Sequence, residues 1–180
     1  MTSPDAPALQ RDRFLDPAAP ASAGARRVLQ LLLAQDGSAT RLCETVAGGP
    51  VVLRLWSQRV VDDPPGEVRR ALPGGRCLER CTSLCAQGQV LMDNLSYVAL
   101  EALPEGLRRG LERGEAPIGH LLAGAWTRRA FVDAPGVLER LWAQVGLPDG
   151  AASRAYVVTT PQGPLMLIAE TFRRGLWWPG

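Results

Sequence analysis

The chain contains no lysine: all 20 basic side chains are arginines, set against 18 acidic residues and a single histidine, His120. Arginine doublets recur at Arg26-Arg27, Arg69-Arg70, Arg108-Arg109, Arg128-Arg129 and Arg173-Arg174, but acidic residues interrupt them and the net charge is only +2. Without a long basic block, nucleic-acid binding is not expected. No apolar run approaches the roughly 18 residues that a membrane span needs. The N-terminal stretch MTSPDAPALQRDRF has no apolar signal core, so the expected compartment is the cytoplasm.

What is present is the composition of a globular protein: 180 residues, 46% hydrophobic and 21% charged. That length suits one domain able to bury about two-thirds of its unfolded surface, so neither a metal nor a disulfide is needed to hold it together. Residues 1–23, rich in Pro, Ala and Ser, read as a flexible N-terminal arm, and residues 24–180 as the domain. A monomer is the expected state.

Apolar residues at helical spacing predict a helix over 25–35, and Ser38 is a candidate N-cap for a second, shorter one. Residues 51–61, β-branched and aromatic, predict the first strand, ended by Pro64-Pro65-Gly66. Stretches 77–85 and 90–100 flank Gln87-Gly88 as a hairpin. Helices follow over 104–113 and 116–122, a strand over 126–133, a helix over 135–145, and a second hairpin from 154–160 and 165–173 around Pro-Gln-Gly-Pro. Hairpins with inserted helices argue for an α+β fold with a largely antiparallel sheet.

RCLERCTSLCAQG, residues 76–88, carries three of the four cysteines, Cys77, Cys81 and Cys85. Thiolates on one zinc lie about 2.3 Å from the metal and so within about 4 Å of each other. Residues four apart on a strand are roughly 13 Å apart, which excludes one metal for all three and excludes disulfides between neighbours. His120 has no second ligand at a usable spacing. No metal site is expected, and the cysteines read as small buried filler.

Strand alternation sets Arg80 on the face opposite those cysteines, among Leu78, Thr82 and Leu84. If the turn is Gln87-Gly88, Arg80 pairs with Leu95, and Asp93 lies diagonally on the same face. Arg80 is then either half of an internal ion pair with Asp93 or a ligand-binding group. In PLMLIAETF, residues 164–172, Glu170 is the lone charge on a strand whose two faces both look buried. Such a carboxylate must find a cation, accept hydrogen bonds or take up a proton, so Glu170 either pairs with an arginine or lines a site. Pro117, Ile118 and Gly119 open a helix whose free N–H groups favour an anion. A lone arginine, a lone glutamate and such a helix start suit a small ligand bearing carboxylates and a hydroxyl.

These residues resemble chorismate lyase (chorismate pyruvate-lyase), in its shorter, divergent branch. The likeness runs through LLLAQDGSATRLCETVAGGPV (31–51), LERCTSLCAQGQVLMDNLSYV (78–98), EAPIGHLLAGAWTRR (115–129) and RAYVVTTPQGPLMLIAETF (154–172). It implies a single antiparallel sheet of about six strands with flanking helices enclosing a buried ligand pocket. It also implies conversion of chorismate to 4-hydroxybenzoate and pyruvate without metal or organic cofactor, toward a prenylated quinone such as ubiquinone or plastoquinone. Arg80 matches the family's carboxylate-binding arginine, Glu170 its last-strand glutamate, and Ile118 a position whose backbone amide faces the ligand. Arg154 and Arg128 match recurring arginines. Asn94 stands where better-known members have glycine close to the ligand.

On that resemblance Arg80 and Glu170 are the expected catalytic residues, with Asn94, Ile118 and Arg154 beside them in substrate binding. The alternative is a non-catalytic sensor of an aromatic carboxylate, since a related fold serves as the effector-binding domain of some bacterial regulators. The 23 residues ahead of the domain are too few for the helix-turn-helix unit that such regulators carry.

Overall fold

The computed structural model describes residues 9–18, 22–113 and 117–177. Residues 1–8 and 19–21 of the expected arm, and Ala116 at the expected helix start, lie outside them. Two helices open the fold, α1 (Ala23–Ala34) and α2 (Ala39–Ala47), each capped by a serine whose side chain accepts a backbone N–H: Ser22 from Ala25 and Ser38 from Arg41. Strand β1 (Val52–Val61) follows, then a six-residue helix α3 (Gly66–Ala71) that the reading of Pro64-Pro65-Gly66 as a simple break did not anticipate. Pro65 is extended and serves as its N-cap, while Val68 is its one buried side chain, too little periodicity to announce a helix.

The central hairpin is β2 (Cys77–Ala86) and β3 (Gln89–Ala99), followed by α4 (Glu105–Arg113), α5 (Ile118–Leu121) and β4 (Arg128–Phe131). Helix α6 (Pro135–Val145) buries Val137, Leu141 and Val145 at i, i+4 and i+8. The hairpin β5 (Ser153–Thr160) and β6 (Gly163–Phe172) completes one six-stranded sheet of order β1-β2-β3-β6-β5-β4, antiparallel throughout. The fold is α+β, as expected. No helix of the described residues is long and apolar enough to cross a membrane.

The two faces of the sheet have different cover. On one, Cys77, Cys81, Leu95, Tyr97, Leu167 and Ala169 pack against α3 and α6 in a single apolar cluster. On the other, the cover divides: Leu84, Met92 and Phe172 pack beneath α1 and α2, while Leu78, Val98, Met166 and Ile168 pack with Leu111 of α4 and Leu122 just after α5. Polar side chains lie between these two apolar patches.

The turn between β2 and β3 is Gln87-Gly88, with φ of 51° and 76°, the doubly positive geometry of a two-residue hairpin turn. The register expected from that turn is nevertheless corrected by one residue. Cys85 pairs with Val90 but Leu84 with Met92, so Leu91 is an extra residue in β3, a β-bulge. Arg80 therefore faces Ser96 rather than Leu95, and Asp93 stands beside Ser83 on the opposite face from Arg80. The Arg80–Asp93 ion pair does not form. Fully buried Asp93 instead takes Arg173 Nε at 2.6 Å, Arg11 Nε at 3.1 Å and the Ser83 hydroxyl.

Arg11 belongs to a segment, 9–18, seated against the domain. Gln10 exchanges backbone hydrogen bonds with Gly88 and Val90, Phe14 is buried, and its N–H donates to Asp149 Oδ2 at 2.9 Å.

Candidate functional site

Pleating and the bulge align four polar side chains in one row across the sheet: Thr82 of β2 pairs with Asn94 of β3, Asn94 with Glu170 of β6, and Glu170 with Arg154 of β5. The next row on the same face runs Gln58, Arg80, Ser96, Ile168, Tyr156, Phe131. Directly facing residues on neighbouring strands lie about 5 Å apart, close enough to interact.

Glu170 is 1% exposed and both its oxygens are engaged. Arg154 approaches Oε2 with Nε at 3.0 Å and Nη2 at 2.9 Å, and the Tyr156 hydroxyl donates to Oε1 at 2.6 Å. Arg154 also donates through Nη1 to the carbonyl of Leu32 at 2.8 Å and to that of Gln35, so it closes the C-terminal end of α1 while neutralising Glu170. The tyrosine is held neutral: burial, then the charge of Glu170 and the hydrogen bond to it, raise its pKa well above 10.0. The same carboxylate, after burial, helps push the Cys43 thiol up.

Above the row lies a small cavity. Asn94, Glu170, Thr82, Tyr156 and Ile168 form its floor, Ser38 to Thr40 at the start of α2 one wall, and Pro117, Ile118 and Gly119 another. Its open space is about 40 Å³. At roughly 10 to 15 Å³ per water this admits a few waters, far below the roughly 300 Å³ at which ligand pockets begin. Gly119 explains the closeness of the walls, because a Cβ there would strike the Thr40 and Ser38 side chains. His120 Nε2 stands 2.9 Å from Glu44 Oε1, tying α5 to α2 from outside.

Asn94, Ile118 and Glu170 thus line one cavity. Arg154 reaches it through Glu170. Arg80, 1% exposed, does not border it but lies one row along the same face, and burial lowers its pKa. Gln58, which pairs with Arg80 across β1 and β2, lines with Leu78 and Leu111 a separate groove of about 360 Å³. Arg80 itself lines neither the cavity nor the groove.

The sequence reading did not single out Tyr156 or Arg129, both of which line the cavity. Tyr156 was legible in principle, two residues from Arg154 on the same strand face. Arg129 was not, because the choice within the Arg128-Arg129 doublet depends on the register of β4: Arg129 pairs with buried Val158 while Arg128 is exposed. All four cysteines are free and buried, Cys77 and Cys81 facing α3 and α6 rather than the cavity. Among the described residues no three His, Cys, Asp or Glu side chains are grouped as metal ligands.

The chain is a distant homologue of the chorismate pyruvate-lyases. It is 28% identical over 161 residues to the enzyme of that name from Mycobacterium leprae, covering 84% of this chain and 76% of that protein. It is 27% identical over 164 residues to the one from Mycobacterium tuberculosis, covering 84% and 82%. No protein-family model matches the chain. Solved structures that align with the chain include the gene product SA0254 of Staphylococcus aureus, at TM-score 0.47 and 14% identity over 70% of this chain and 85% of that one. The C-terminal domain of the histidine utilization repressor from Pseudomonas syringae aligns at TM-score 0.43 and 9% identity, over 68% and 91%.

Proposed function

We propose that this protein is a chorismate lyase, converting chorismate to 4-hydroxybenzoate and pyruvate with Arg80 and Glu170 as its principal site residues. The observation that carries the reading is the buried Glu170, fixed by Arg154 and Tyr156 at the floor of a small cavity on the same sheet face as Arg80. The distant homology supports the choice of substrate.

In the reaction the ring C4 loses its hydrogen as a proton, the C3–O bond to the enolpyruvyl group breaks, and the ring becomes aromatic. The oxygen leaves with the bonding electrons as enolpyruvate, which takes up a proton to become pyruvate. The protein has mainly to hold the reactive conformer and stabilise the charge that builds on the leaving oxygen. Arg80 clamps the ring carboxylate as a planar bidentate donor, and the Ile118 amide helps to fix it. Glu170 accepts the C4 hydroxyl hydrogen bond, and Asn94 beside it offers an amide to the same end of the ring. Because Arg154 and Tyr156 already engage both Glu170 oxygens, that carboxylate is an orienting acceptor.

The substrate needs more room than the cavity of about 40 Å³ offers. Movement of α4 and α5 would open the cavity toward Arg80, to the roughly 300 Å³ or more of an ordinary ligand pocket. The product then serves a prenylated quinone pathway.

The deciding experiment mixes purified protein with chorismate in the presence of a chelator and follows 4-hydroxybenzoate absorbance. Steady product formation is expected. Tight 4-hydroxybenzoate binding without turnover would favour a sensor of aromatic carboxylates instead, and activity lost on chelation would call for a metal.

A further inference from the structure

Only two charged side chains are found among the described residues that line the cavity, Glu170 and Arg129. The charge of Glu170 is answered at 2.9 Å by Arg154. That of Arg129 is not answered by any carboxylate of the described residues. Its side chain comes from β4, the edge strand on the far side of the sheet from Arg80, and enters the cavity beside Tyr156. Nη1 donates to the carbonyl of Asp36, at 3.1 Å, in the loop that leads to α2. Nε is buried and has no hydrogen-bond partner among the described residues. A buried guanidinium N–H left without an acceptor costs free energy, and an anionic ligand would recover it.

We infer that Arg129 is the binding site for a second carboxylate, the one carried by the enolpyruvyl side chain. This rests on the lyase reading above. Chorismate has two carboxylates and 4-hydroxybenzoate retains one, so a pocket with a single arginine would hold substrate and product by the same charge. Arg80 and Arg129 approach from strands β2 and β4, four strand spacings apart, roughly 19 Å between backbones at about 4.8 Å per step. Two long side chains reaching toward each other would shorten that span to the length of a substrate with a carboxylate at each end. Glu170 and Arg154 cancel each other, so Arg129 is the cavity-lining cation whose charge no described carboxylate answers. When the C3–O bond breaks, the enolpyruvate leaves on the Arg129 side while the aromatic product stays with Arg80. Arg129 thereby discriminates substrate from product.

The test compares affinity for the two ligands in Arg129→Gln, with titration calorimetry of chorismate and 4-hydroxybenzoate beside steady-state kinetics. The expected result is a chorismate KM, and Kd where turnover is slow enough to measure it, raised about tenfold or more, the worth of one charge-assisted contact. The 4-hydroxybenzoate Kd should stay at its wild-type value. Arg129→Lys should recover part of the chorismate affinity, since an ammonium keeps the charge without the planar fork. If the glutamine variant does not fold, the lysine variant carries the test alone, with weakened chorismate and unchanged product affinity. Equal weakening of both ligands, or of neither, overturns the inference. A wild type that binds chorismate without turning it over ends the lyase reading but still reports on Arg129 through the two affinities. A wild type that binds neither ligand ends both.

Discussion

Asn94 lies directly opposite Glu170 across β3 and β6, and directly opposite Thr82 across β2 and β3. One residue sets both relationships. Without the extra Leu91 in β3, the hairpin turn would bring Asp93 to this position and send Asn94 to the face packed by α3 and α6. The charge of Asp93 would then compete with that of Glu170 for cations inside the pocket. The bulge instead commits Asp93 to Arg173 and Arg11 on the other face and leaves a neutral amide beside the carboxylate.

Asp93→Asn should therefore destabilise the fold without touching the ligand. Removing the anion leaves Arg173 buried and uncompensated, a loss on the order of 3 to 5 kcal/mol. Urea denaturation should show the lower midpoint, while KM for chorismate stays at its wild-type value. A raised KM at unchanged stability would contradict the register.

Arg154→Met should have a similar cost for a different reason. It strips the cation from Glu170 and the donor from the carbonyls at the end of α1, again about 3 to 5 kcal/mol. Adding Glu170→Gln removes the stranded charge, so the double variant should be more stable than Arg154→Met alone. Simple additivity of the two denaturation free energies would show that the pair is not coupled.

Arg80→Lys and Glu170→Gln both preserve size and some polarity, and both should lose activity. Replacing the fork by an ammonium forfeits bidentate binding of a carboxylate, so kcat/KM should fall by a factor of about 100 or more. Glu170→Gln should lower kcat more than it raises KM, because its acceptor orients the C4 hydroxyl in the reacting conformer. Product appearance from chorismate measures both, and wild-type rates in either variant would remove that residue from the site.

The fold should weaken in alkali. Burial, followed by the charge of Asp93, pushes the thiol of Cys81 up to about 12 and that of Cys85 up to about 11, from an ordinary value of 9.0. Tyr156 and Tyr97 are likewise shifted up from 10.0, first by burial. Above pH 9 the unfolded chain releases these protons and the folded one keeps them, so stability is full below about pH 9 and falls as pH rises toward 12. The urea midpoint should be flat approaching pH 9 and decline above it, less steeply in Cys81→Ala. A midpoint that rises through this range would contradict the burial of these groups.

The small size of the cavity also has a kinetic consequence. If α4 and α5 must move to admit substrate, they must move again to release a planar aromatic product, and release rather than chemistry should set turnover. Rapid mixing should then show a burst of about one 4-hydroxybenzoate per site before the slower steady rate. A single-turnover rate no faster than the steady state would place the slow step in the chemistry.

Much of the fold was legible because its signals are local. Leu29 and Leu32 on one face of α1, the Ser38 cap, the positive-φ turn at Gly88 and the alternation through Glu170 each depend on neighbours within a few residues. Glu170 and Arg80 stood out for the same reason, as single charges on otherwise apolar strand faces. The short α3, with one buried side chain, had too little pattern to be seen.

What the sequence by itself determined is the set of elements, their antiparallel pairing by short hairpins, and which charged residues had to be answered inside the core. Only the tertiary structure decided which partners answered them. Asp93 went to Arg173 and Arg11 because one inserted residue reversed the strand face, and Glu170 went to Arg154 because β5 pairs with β6 in that register. Arg129 turned inward, and Arg128 outward, because β4 lies on β5 where it does. Register is a property of two strands at once, and no pattern within either strand alone specifies it.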